Sequence, residues 1–138
     1  MSNPIGTFWS GVDADVASSL ATLGAVDSGR AEPGKVSSLK TPGILTWIDI
    51  DEARIDTHAG VPLSISTKLI VFCVGAGRAT IADATDHALE MAMSVLSHMA
   101  GRTIGGAVLS LSDTPIDFIE AKANRPVTSV TFDCTVEL

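Results

Sequence analysis

Between Thr80 and Arg102 the chain carries one long apolar stripe: Ala84, Ala88, Met91, Ala92, Val95 and Met99 recur at helical intervals. That spacing places all six on one side of an α-helix. Thr80-Ile81-Ala82-Asp83 is a capping box at its start, and Asp86 adds negative charge at the same end. His98 and Arg102 sit at the negative end of the dipole, and Gly101 closes the helix. At about 1.5 Å per residue the helix is roughly 30 Å long. A helix that is apolar on one side only must lie on a second layer, so the flanking segments have to supply it.

Those segments read as strands. Ile44 to Ile50 is rich in β-formers, and pairing is expected to continue through Ala53-Arg54-Ile55. A loop from His58 to Pro62 leads into Thr67 to Val74, apolar on both faces from Leu69, which suits a central strand covered on both sides. Beyond the helix, Ala107, Leu109 and Leu111 alternate with Val108, Ser110 and Ser112, and Thr114-Pro115 interrupts pairing before Ile116 to Glu120. After a turn at Asn124-Arg125-Pro126, Val130, Phe132, Cys134, Val136 and Leu138 point inward between Thr131, Asp133, Thr135 and Glu137.

An earlier helix is predicted from Ser10. Ser10-Gly11-Val12-Asp13 forms a capping box, Val12, Val16, Leu20 and Leu23 share a face, and Gly24 stops it. Residues 25–43, with two Pro and three Gly, are expected to be a loop. The order is α-β-β-α-β-β: an α+β fold, a single domain over 1–138, with a mostly antiparallel sheet packed by one long helix.

Composition narrows function by exclusion. The chain has 138 residues, 46% hydrophobic but only 4% aromatic, so its core is aliphatic and large enough to fold without disulfide or metal. Five of nine basic residues fall before residue 70 and eight of sixteen acids do, so the net charge of −7 hides no basic patch for gripping nucleic acid. The first residues do not follow the pattern of a secretory signal. The apolar run Leu69–Ala76 is far short of the roughly 20 residues of a membrane span. Cys73 and Cys134, without CxxC spacing, read as buried hydrophobes of a cytosolic protein in preference to a redox pair.

Motifs for chemistry are thin. Gly75-Ala76-Gly77-Arg78-Ala79-Thr80 joins a strand to a helix, where anion-binding loops occur, yet Thr80 replaces the third glycine of a dinucleotide fingerprint and no Gly-Lys-Ser/Thr follows. A tight turn is the preferred reading. Asp83, His87 and Glu90 offer partial metal ligation on one helix, whereas His98 lies about 16 Å from His87 along the axis, so no metal site is expected. Asp49, Asp51 and Glu52 lack a calcium-loop glycine and read as a solvated strand end or an acidic contact surface. No catalytic residue and no cofactor is assigned.

The layout itself resembles a known family. A short capped helix, a Pro/Gly loop, the strand Gly-Ile-Leu-Thr-Trp-Ile-Asp-Ile and the strand Thr-Lys-Leu-Ile-Val-Phe-Cys-Val come first. Then follow a long helix ending Leu96-Ser97-His98-Met99-Ala100-Gly101-Arg102, a Gly-Gly loop, a strand, and the final alternating strand. In length and order this resembles the tail-terminator (tail-completion) proteins of long-tailed bacteriophages. The resemblance implies a virion protein made in the host cytoplasm, not an enzyme. It implies a homohexameric ring that ends tail tube polymerisation and joins the tail to the head connector. It further implies a channel through which DNA passes without specific recognition, and no membrane partner. A different neck component, such as an adaptor or tube subunit, is the alternative, followed by a small ligand-binding domain or enzyme with an anion site at Gly75–Thr80.

A ring joined head to tail needs two different complementary patches on each subunit. Candidate interface residues are Phe8 and Trp9 ahead of the first helix, Lys35 and Lys40 in the 25–43 loop, Asp49, Asp51 and Glu52 at the acidic strand end, and His58 in the 58–66 loop. Trp9 reads equally well as a hydrophobic staple on the helix start.

Overall fold

In the computed structural model the residues described are 3–31, 39–75, 80–119 and 126–138, with 51, 52, 81, 118 and 119 described by their backbone. Helix α1 (Pro4–Ser18) begins six residues before the predicted start. Asn3 is the cap, its side-chain oxygen accepting the Gly6 N–H at 3.0 Å, and Pro4 takes the first helical position, where its missing N–H costs nothing. Ser10 and Asp13 therefore lie inside the helix instead of capping it. Phe8, Val12 and Val16 form its buried face. A break at Ser19 separates α2 (Leu20–Leu23), which ends at Gly24 with φ +75°, the stop the sequence predicts.

The predicted 25–43 loop contains a strand, β1 (Asp27–Arg30), running parallel to the start of β2 (Gly43–His58). β2 turns through Ala59-Gly60 into β3 (Val61–Val74). Both turn residues have positive φ, +50° and +77°, which matches the twist of a two-residue hairpin. The expected loop after His58 is thus one tight turn, and most of 58–66 is strand. The β2–β3 register is regular from Gly43–Val74 to Asp49–Lys68 and shifts twice further on, between Asp49 and Arg54 and between Asp56 and Thr57.

Helix α3 (Ile81–Met99) is capped as predicted, Thr80 Oγ1 accepting the Asp83 N–H at 3.1 Å. All six stripe residues are buried. After it come the short hairpin β4 (Thr103–Ile104) and β5 (Ala107–Val108), then β6 (Ser110–Ile119) and β7 (Val127–Glu137). Asn124 and Arg125 of the predicted turn lie outside the described residues.

The main sheet has the order β1-β2-β3-β7-β6, antiparallel except for β1–β2. This is an α+β domain with β3 at the centre. Ile44, Ile48, Leu69, Val71, Cys73, Val130, Phe132 and Cys134 pack with the helices into the main core. The opposite sheet face carries no helix among the described residues; a small cluster of Leu39, Leu45, Val74 and Val127 covers part of it. The expectation of two covered faces is met only there, since Ile70 and Phe72 are half-buried.

β7 alternates as predicted, except that Leu138 lies past its end and is half-exposed. In β6 the alternation of Ala107, Leu109 and Leu111 with Val108, Ser110 and Ser112 breaks, since Leu111 is half-exposed and Ser112 is buried. The cause lies nearby: pairing with β7 loses register between Leu111 and Ile116, around Pro115. β6 is the outer strand on that side, and Asp113 and Asp117 are exposed along it.

Candidate interaction surface

The most exposed regular structure is the outer part of the β2–β3 hairpin. Every described residue from Arg54 to Leu63 is exposed, including Ile55 (61%), Val61 (59%) and Leu63 (52%). β7 supports β3 only as far as Ser64, which pairs with Glu137, helped by the Leu138 N–H donating to the Leu63 carbonyl at 2.9 Å. The tip is therefore a two-stranded arm, a structure that gains little stability by itself in water. Ile50, in the irregular stretch at its base, is also exposed.

The predicted contact residues fall into different roles. Phe8 is fully buried in the core and offers no contact surface. Trp9 lies within α1, not before it, so the staple reading fails. Its indole N–H donates to Thr46 Oγ1 at 2.9 Å, and that hydroxyl donates to Asp13 Oδ1 at 2.6 Å. Arg30 Nε donates to Asp13 Oδ2 at 2.6 Å while its guanidinium stacks 4.0 Å from the Trp9 ring centroid. Trp47 meets Trp9 edge to face at 5.7 Å. This knot ties α1 to β1 and β2. Asp13→Ala leaves Thr46 and Arg30 without their shared acceptor and is expected to cost about 1–3 kcal/mol, measurable by urea unfolding.

Lys40 is exposed, and its backbone N–H donates to Asp27 Oδ2 at 3.0 Å. Asp49 stands opposite Lys68, and Lys68 opposite Asp133, in a row across the uncovered face. Asp51 and Glu52 lie in the irregular stretch, and their side chains are outside the described set. His58 is exposed at the arm's turn. Lys35 lies outside the described residues. The acidic residues are thus mid-strand at the base of the arm, not a strand end, and Lys40 does not join them. Ile55, Val61, Leu63, Val108 and Leu111 were missed, although apolar residues flanking Ala59-Gly60 and following Gly105-Gly106 are a signal for hairpins.

Two clefts on the sheet hold charges of both signs. One of about 620 Å³ is lined by Arg54, Lys68, Asp113, Asp133 and Glu137, with Ser110 beside them. Among the described residues no three His, Cys, Asp or Glu side chains are placed to hold a metal ion. Of the Gly75–Thr80 turn, residues 76–79 lie outside the described set. His98 Nε2 sits 2.9 Å from Asp15 Oδ2 and Arg102 3.4 Å from Oδ1, which fastens the end of α3 to α1.

Cys73 and Cys134 are buried, free thiols. Cys73 stands opposite Thr128 and Cys134 opposite Thr67, six positions along the paired strands or roughly 20 Å, so they cannot form a disulfide with each other. Burial pushes both thiols up from 9.0 to about 12. The fold keeps them protonated where the unfolded chain ionises, so the unfolded chain binds fewer protons. Their contribution to stability is complete below pH 9 and is lost as pH rises towards 12. Urea midpoints should fall between pH 8 and pH 10.5, and less steeply in a Cys73→Ala/Cys134→Ala variant; equal slopes would contradict the assignment.

No family model matches the chain, and no curated protein matches it significantly. No helix among the described residues is long and apolar enough to cross a membrane.

Proposed function

We propose that this protein is a structural component of a long-tailed phage particle, a tail terminator whose copies form a six-membered ring at the head-proximal end of the tail tube. The observation that carries the reading is the placement of exposed aliphatic side chains. Ile50, Ile55, Val61 and Leu63 are exposed along one hairpin whose tip extends past β7, while the clefts on the sheet are lined by charges of both signs. Exposed aliphatic side chains grouped on one hairpin suit a protein partner.

In this reading the protein works by binding, with neither catalysis nor a cofactor. One ring face seats on the last tube ring and stops further addition; the other receives the head connector. The charge of −7 favours a lumen that lets DNA slide through without adhering to it.

The test is mass measurement of the purified protein, alone and after mixing with tubes polymerised from a long-tailed phage tube protein. A hexamer, free or formed on tube ends, is expected, with tube growth arrested. A protein that stays monomeric and ignores tubes overturns the proposal. One that polymerises into tubes by itself is a tube subunit instead.

A further inference from the structure

Where β6 loses register with β7, between Leu111 and Ile116, the uncovered face of the sheet bears a cleft of about 630 Å³. Small-molecule sites span about 300–1,000 Å³. The half-buried Ile70 and Phe72 of β3 line the cleft, with Ile116 of β6 across from them. Ser112 and Ser129 line it too, although they are only 7% and 4% exposed. Among the described residues no group hydrogen-bonds to either hydroxyl. A polar group so nearly buried without a partner is destabilising, and a ligand that bonds it removes that penalty.

The charges around the cleft define what can enter. Asp49 on β2 and Asp117 on β6 lie on opposite sides, three strand spacings or roughly 14 Å apart across the sheet. Lys68 lies between them on β3 and forms no ion pair with Asp49 or with Asp133, its two register partners. An anion entering here meets two carboxylates, and a cation meets the ammonium. A neutral ligand that both donates and accepts hydrogen bonds avoids both conflicts.

We propose that this cleft binds a neutral saccharide. Sugar hydroxyls can donate to the Asp49 and Asp117 carboxylates, accept from the Lys68 ammonium, and bond either way with the hydroxyls of Ser112 and Ser129. The C–H face of a sugar ring has Ile70 and Phe72 to lie against. A peptide is also neutral and polar, but it binds a sheet by pairing its backbone along a free edge. The ladder bonds of a sheet run between its strands, so its face offers a peptide no such pairing. The site stands apart from the exposed hairpin and does not depend on the ring reading.

The experiment titrates the full-length, nitrogen-15-labelled chain with maltotriose, cellotriose and tri-N-acetylchitotriose, and separately with spermidine and citrate. At least one sugar should give saturable NMR shifts at millimolar concentration, confined to the amides of Lys68 to Phe72, Ile116 to Asp117 and Ser129 to Thr131. Asp117→Ala, at an exposed site, should keep the melting temperature and weaken that binding by about tenfold, as loss of a charged acceptor implies. Ser129→Ala should weaken it as well, whereas Asp113→Ala, on the same strand outside the cleft, should not. If none of the three sugars saturates, or if Asp117→Ala binds like the wild type, the proposal falls. If spermidine or citrate alone saturates the same amides, the cleft takes a charged ligand and the saccharide assignment is wrong.

Discussion

Phe132→Ala is expected to lower stability by about 3–5 kcal/mol, close to the whole stability of a marginal domain. Phe132 is fully buried in the middle of β7, opposite Leu69 on β3, and belongs to the cluster shared with the helices. Truncation removes the ring and leaves a cavity that a close-packed aliphatic core fills only in part. Its other register partner, Leu111 on β6, provides the contrast, being 49% exposed. Leu111→Ala should change stability by no more than about 0.5 kcal/mol. Urea unfolding of both variants decides the point: equal losses would mean that Leu111 is a core residue and no contact surface. With the fold intact, Leu111→Ala can be tested for ring assembly, which Phe132→Ala cannot.

Gly105→Val should be nearly as damaging, at about 3 kcal/mol, by combining overpacking with an unfavourable backbone. Gly105 has φ +61°, a region where a β-branched residue is strained. A Cβ there would lie 2.5 Å from the Phe8 carbonyl oxygen and 3.0 Å from Phe8 Cα. From the other side, a Cβ on Gly11 would meet Gly105 Cα at 2.7 Å. Two glycines thus let the β4–β5 turn rest directly on α1, and neither obstruction is a side chain that can rotate away. Gly106→Ala, in the same turn, meets nothing within 4 Å and is expected to suffer only from its φ of +89°. Thermal melts of the pair should therefore show Gly105→Val far below Gly106→Ala. A reversed order would contradict the close packing of turn and helix.

What could be read from the residues depended on whether the information was local. The α3 stripe and the alternation of Val130 to Val136 are written in side-chain periodicity, and both appear as expected. The start of α1 is expected at Ser10, and the cap instead falls at Asn3 with Pro4 behind it. That start puts Phe8 in line with Val12 and Val16 on the buried face. Asp27-Ser28-Gly29-Arg30 has little strand propensity; it becomes β1 by pairing with β2 and through Arg30's contacts with Asp13 and Trp9. That is tertiary information, absent from any short window. The same holds for Trp9, whose partners are Thr46, Trp47 and Arg30, and for the arm, whose exposure depends on where β7 and the helices stop.

The outer strand β6 has a consequence for behaviour at high density. Pro115 offers no amide to an incoming chain, and the exposed Asp113 and Asp117 on either side of it repel a like copy. An aliphatic sheet with a bare margin would recruit strands from its neighbours and drift towards fibrous aggregates. Here these gatekeepers blunt the margin at its centre. Crowded copies can then meet through side chains while remaining separate, dispersible molecules.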